Sequence, residues 1–120
     1  MTKYHGIIVD ASMKDKRVPR GLKILGRKRS TSEDWMLYKV EVSENDFEAM
    51  SKNLQSKMVA GGYYFHFYRD DELIVCYKDK IFKISPEKST WKSAIDYGKS
   101  LNIPVKQLDF QPSRIRDETY

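Results

Sequence analysis

Residues 63–85 read YYFHFYRDDELIVCYKDKIFKIS, and these positions decide the fold. Three runs rich in aromatic and β-branched residues are interrupted near Asp70-Asp71 and again near Asp79-Lys80. Acidic and polar pairs between such runs are turn formers, so the stretch predicts a three-strand antiparallel meander. Two-residue turns then fix the faces. Tyr64, His66, Tyr68, Leu73, Val75, Tyr77, Phe82 and Ile84 share one side, and Tyr63, Phe65, Phe67, Ile74, Cys76, Lys78, Ile81 and Lys83 share the other. Both sides are rich in apolar residues, so each needs a cover: a further layer, a second copy, or a ligand with a flat π surface.

Upstream, YHGIIVDA predicts a strand over about residues 3–11, and DWMLYKVEV another, with Met36, Tyr38, Val40 and Val42 on one side. A short strand at LKIL lies inside a basic segment between them. Phe47, Met50, Leu54 and Met58 recur at helical spacing in SENDFEAMSKNLQSKM, with Ser43 and Asp46 as its start signal and Gly61-Gly62 as its stop. Trp91, Ala94, Ile95, Gly98 and Leu101 mark a second helix in STWKSAIDYGKSL, ended by Asn102 and Pro104. Gly98 lies on that apolar stripe, which points to a close neighbour. VKQLDF is expected as a last strand and QPSRIRDETY as a polar tail.

The expectation is an α+β fold: the meander plus one to three further strands, two helices laid on one face, and a ferredoxin-like order from Asp34 to Phe110 with one strand extra. A single domain is expected over residues 1–110, with a polar C-terminal tail over 111–120. The chain of 120 residues suits one domain. No apolar run approaches the roughly 18 residues that cross a bilayer, and the start, MTKYHGIIVDAS, lacks the pattern of a signal peptide. A cytoplasmic location without membrane association is expected.

The lone Cys76 excludes an internal disulfide and zinc sites that need several thiolates. The only imidazoles are His5 and His66, at no metal-ligand spacing. In the meander register His66 and Cys76 point to opposite faces, which rules out a thiolate–imidazole pair. Asp70, Asp71 and Glu72 are adjacent acids at a hairpin tip and read as turn formers, since acid catalysis calls for a buried carboxyl. Phosphate-loop, dinucleotide and hydrolase-elbow motifs do not occur. No catalytic residue, metal or cofactor is assigned.

Two features remain. Residues 14–29 hold Lys14, Lys16, Arg17, Arg20, Lys23, Arg27, Lys28 and Arg29 against Asp15, a local +7, while the rest of the chain sums to −2. Charge concentrated in this way steers anionic partners. The second feature is the aromatic run Tyr63–Tyr68. GGYYFHFY is similar to the RNP1 box of RNA-recognition motifs, but it directly follows the first helix and has no RNP2 companion, so no family is assigned. The leading expectation is a small binding domain for a polyanion, RNA or DNA. Arg17, Arg20, Arg27, Lys28 and Arg29 would contact phosphate, and Tyr63, Phe65 and Trp35 would offer stacking surfaces. A protein-interaction or homodimerisation module using the 63–68 strand is the first alternative. A small enzyme drawing on Asp10, His5 or His66 in a closed polar pocket is the second.

Overall fold

The computed structural model describes residues 3–30 and 34–118. Within them the chain forms β1 (Lys3–Val9), β2 (Lys23–Arg29), β3 (Met36–Ser43), α1 (Phe47–Ser56), β4 (Tyr64–Tyr68), β5 (Leu73–Tyr77), β6 (Lys80–Ile84) and α2 (Lys92–Ser100), joined by loops and short 3-10 turns. The strands make one six-stranded sheet of order β2-β3-β1-β4-β5-β6, antiparallel at every pairing. The fold is α+β.

The meander has the faces its alternation predicts. Phe65 pairs with Cys76 and His66 with Val75, so His66 and Cys76 point away from each other. The second turn is Lys78-Asp79, closing on the Tyr77–Lys80 pair, one residue earlier than expected. Moving a two-residue turn by one position shifts the register by two, and a shift of two leaves every side chain on its own face.

The two helices do not share a face. Phe47 and Leu54 of α1 pack with Phe65, Phe67, Ile74 and Cys76 on one side of the sheet. Trp91 and Ala94 of α2 pack with Tyr68, Leu73, Val75 and Tyr77 on the other. The reason lies in the meander itself. All five residues of β5 are buried, so helices confined to one side would leave Val75 and Tyr77 in water. Burying such side chains is worth about 1.5–3 kcal/mol each, and α2 supplies the second cover from within the chain.

The ferredoxin-like likeness is confined to one unit. β3 and β4 both run antiparallel to β1, which lies between them, so β3-α1-β4 is a split β-α-β arrangement. The segment expected as a last strand forms a 3-10 turn at Val105–Gln107 instead.

Helix ends follow local chemistry. Ser43 stays in β3, opposite Lys3, so α1 begins only at Phe47. The expected Ser43–Asp46 contact does form: the Asp46 N–H donates to Ser43 Oγ at 3.3 Å, bending the chain ahead of the helix. α1 ends before Gly61-Gly62, and Gly61 (φ +117°) serves the turn into β4 rather than the helix stop. α2 closes as expected. Asn102 is left-handed (φ 65°), its N–H donates to the Lys99 carbonyl at 2.9 Å, and the Ile103 N–H donates to the Gly98 carbonyl at 3.1 Å. That pair of bonds is a Schellman motif.

The stretch after Gln111 is polar in composition, yet residues 110–118 lie against the α2 face. Phe110 and Ser113 are buried, and Ile115 packs on the α2-side core. The last two positions of the expected tail lie outside the described residues. No helix among the described residues is long and apolar enough to cross a membrane.

Candidate functional site

β2 is an edge strand, paired on one side only, with β3. Arg27 lies opposite Tyr38, Lys28 opposite Leu37 and Arg29 opposite Met36. Strand alternation sends Lys28 to the α2 side and Arg27 and Arg29 to the α1 side, so one edge carries cations on both flanks. A register shift between Ile24 and Gly26 makes a bulge, which twists an edge and discourages pairing with another strand. Arg27, Lys28 and Arg29 are all exposed.

Arg17 precedes and Arg20 lies within a 3-10 turn, Val18–Gly21, held down by buried Pro19. Arg17 is already engaged. Its Nε and Nη2 donate to the two oxygens of Asp15 at 3.1 and 3.0 Å, and these bonds pull the Asp15 carboxyl down to about 2. Arg29 pairs with Asp34 at 3.1 Å and Lys23 with Glu41 at 3.0 Å. Those two acids lie outside residues 14–29, so the folded segment is less positive than its own sequence. Arg20 and Arg27 carry no ion pair among the described residues.

The aromatic candidates separate. Phe65 is 0% exposed beneath α1 and offers no stacking surface. Most of the strand is enclosed: Phe67, Tyr68 and His66 are buried by this chain's own helices and C-terminal segment, while Tyr64 is half-buried. Of the run 63–68 expected to meet a partner, only Tyr63 and Tyr64 are left half-buried. Trp35 and Tyr63, in contrast, come together half-buried, with ring centroids 5.9 Å apart and planes tilted by 57°. The Ser30 N–H donates to the Trp35 carbonyl at 2.9 Å, which brings the end of β2 to this pair.

Both rings line a pocket of about 240 Å³. Its floor is Ile7, Val9 and Leu37, from β1 and β3; Tyr64 and His66 of β4 form another wall. Ser30 lies on the β2 side, and Gln107, Asp109 and Gln111 come from the C-terminal segment. That segment is tied in place. The Tyr64 hydroxyl donates to the Gln107 carbonyl, and His66 Nε2 donates to the Pro112 carbonyl at 3.0 Å. Between them Phe110 adopts φ +47°, a left-handed conformation costing a bulky residue about 1–3 kcal/mol. Its buried ring, 5.3 Å from both Tyr64 and Trp91, holds it there, and its exposed neighbours Asp109 and Gln111 take their positions at the pocket from it.

Farther along the same face, Glu118 gathers the other polar groups. Its carboxylate lies 2.6 Å from His5 Nδ1 and 3.6 Å from Lys39 Nζ, and accepts a hydrogen bond from Tyr68 at 2.5 Å. His5 Nε2 is 3.3 Å from Glu41.

The groups considered for catalysis have structural partners. Asp10 Oδ1 accepts the Met36 N–H at 3.1 Å. Burial lowers the His66 imidazole to about 4, so it is neutral at pH 7 and a weak base. Burial also pushes the Cys76 thiol well up. Asp70 and Asp71 form the β4–β5 turn, closed by the Arg69 N–H donating to the Glu72 carbonyl at 2.9 Å. Among the described residues no group of three or more His, Cys, Asp or Glu side chains could hold a metal ion.

Reading the sequence alone missed Gln107, Asp109 and Gln111. By composition their segment reads as a strand followed by a polar tail, and its apolar anchors are Leu108, Phe110 and Ile115. No family model matches the chain, and no curated protein or solved structure is significantly similar to it.

Proposed function

We propose that this protein binds a single-stranded polyanion, RNA or DNA, along the β2 edge. The observation that carries the reading is the meeting of cations and rings at one corner. Arg27, Lys28 and Arg29 run directly into Ser30, whose N–H is bonded to Trp35, and Trp35 packs on Tyr63. Phosphate contacts from arginine and lysine supply affinity without reading sequence, and accessible rings add base stacking. A single strand fits better than a duplex, because duplex bases are already stacked on each other. Arg20 joins the phosphate-contacting set. Arg17 contributes less, since Asp15 engages both its Nε and its Nη2, whereas Arg29 meets the exposed Asp34 through Nη1 alone.

Titration of labelled single-stranded oligonucleotides at several salt concentrations tests the reading. With about four phosphates neutralised, log K should fall against log salt with a slope near −2.8. Absence of binding at low salt, or binding indifferent to salt, would refute it.

A further inference from the structure

We propose that the pocket beside Trp35 receives one unstacked nucleobase, its ring against Trp35 and Tyr63 and its hydrogen-bonding edge toward Asp109, Gln107 and Gln111. This rests on the reading of β2 as a phosphate-binding edge and adds to it a site that recognises the base.

Size comes first. At about 240 Å³ the pocket falls below the roughly 300–1,000 Å³ of sites for drug-sized ligands. It suits one small ring system rather than a long chain or several rings. Chemistry comes second. Ile7, Val9 and Leu37 make an apolar floor, which favours an uncharged body. The two half-buried rings in its lining favour a flat one.

Three of the polar lining side chains come from one stretch, the C-terminal segment. Gln107 and Gln111 carry amides that donate and accept, whereas an ionised Asp109 only accepts. A heterocycle edge with mixed donors and acceptors, including an amino group for the carboxylate, matches that set. Adenine, cytosine and guanine carry such an amino group; uracil and thymine do not.

Connectivity comes third. Ser30 lines the pocket and immediately follows Arg29, and Lys28 faces the same side of the sheet as Leu37 of the pocket, so a base seated here leaves its phosphates at the end of β2. The rim is also built rather than loose. Tyr64 bonds to Gln107, His66 bonds to Pro112, and the Phe110 ring is anchored between Tyr64 and Trp91.

The experiment compares equal-length oligo-A, oligo-C and oligo-U by anisotropy on the intact protein, with Trp35 fluorescence followed in a Trp91→Phe background. Oligo-A and oligo-C should bind at least about fivefold tighter than oligo-U, and Asp109→Asn should erase that difference without changing the salt slope. Bound oligonucleotide should quench Trp35, and Trp35→Ala should weaken all three strands by about fivefold or more at unchanged slope.

Asp109 is exposed, so its variant tests recognition without disturbing the core. Salt-dependent binding with no base preference and no quenching overturns the base site and leaves the polyanion reading standing. Without oligonucleotide binding the polyanion reading fails, and free nucleoside monophosphates then decide: quenching by them keeps the pocket as a nucleotide site, and its absence removes both.

Discussion

The carboxylate of Glu118 lies 2.6 Å from Nδ1 of His5, a contact between positions 113 residues apart. It fastens the C-terminal segment to β1 and so holds in place the residues that form the pocket rim.

Glu118→Gln keeps an acceptor for Tyr68 but removes the charge that faces His5 and Lys39. The expected loss is about 1–3 kcal/mol in urea unfolding. Faster amide exchange should appear in residues 110–118, with β5 unaffected. Uniform acceleration across the sheet would mean that the segment is not separately fastened.

His66 ties stability to pH. Its folded-state value of about 4 lies below the ordinary 6.5 because burial disfavours the imidazolium. Between these values the unfolded chain binds a proton that the native state refuses, so stability is complete above pH 6.5 and falls as the pH drops toward 4. The limit is about 3 kcal/mol for this one group. Glu41, held down to about 2 by Lys23 and Lys3, acts only below its ordinary 4.5. Denaturant midpoints of wild type and His66→Asn should therefore converge as the pH falls from 6.5 to 4.5; parallel curves would show that His66 is not the group responsible.

Two glycines are set by what stands opposite them. A Cβ at Gly6 would lie 2.5 Å from the buried Phe67 ring, and one at Gly98 would lie 2.7 Å from both Leu108 and the Tyr77 hydroxyl. Tyr77 cannot yield freely, because its hydroxyl donates to the Ala94 carbonyl at 2.7 Å. Gly98→Ala should therefore destabilise by about 1–3 kcal/mol, although alanine gains about 1 kcal/mol of helix propensity. Gly6→Ala should cost at least as much, because a ring cannot fold out of the way as leucine methyls can. Thermal melts of the two variants check both; a stabilised Gly98→Ala would show that α2 has room to shift.

Much of this architecture was legible because alternation is a strong signal. The faces of β4, β5 and β6 followed from counting, and Gly98 announced its close neighbour. The placement of α2 did not follow, since a stripe such as Trp91–Ala94–Gly98 says that a helix is covered, not which side of a sheet covers it. Two-sided burial of β5 was the available clue. At the candidate site the basic residues and Trp35 were visible as types, but the Trp35–Tyr63 contact joins the start of β3 to the entry of β4. The rim at 107–111 depends on a left-handed Phe110 and on bonds from Tyr64 and His66, none of which leaves a periodic trace.

The most direct test of the central claim is the salt slope of single-strand binding in Arg27→Ala/Lys28→Ala/Arg29→Ala. These side chains are exposed on an edge, so the fold should survive. Removing three phosphate contacts should flatten the slope by about 2 and weaken binding at low salt. A slope equal to that of the wild type would show that the β2 edge does not hold the strand.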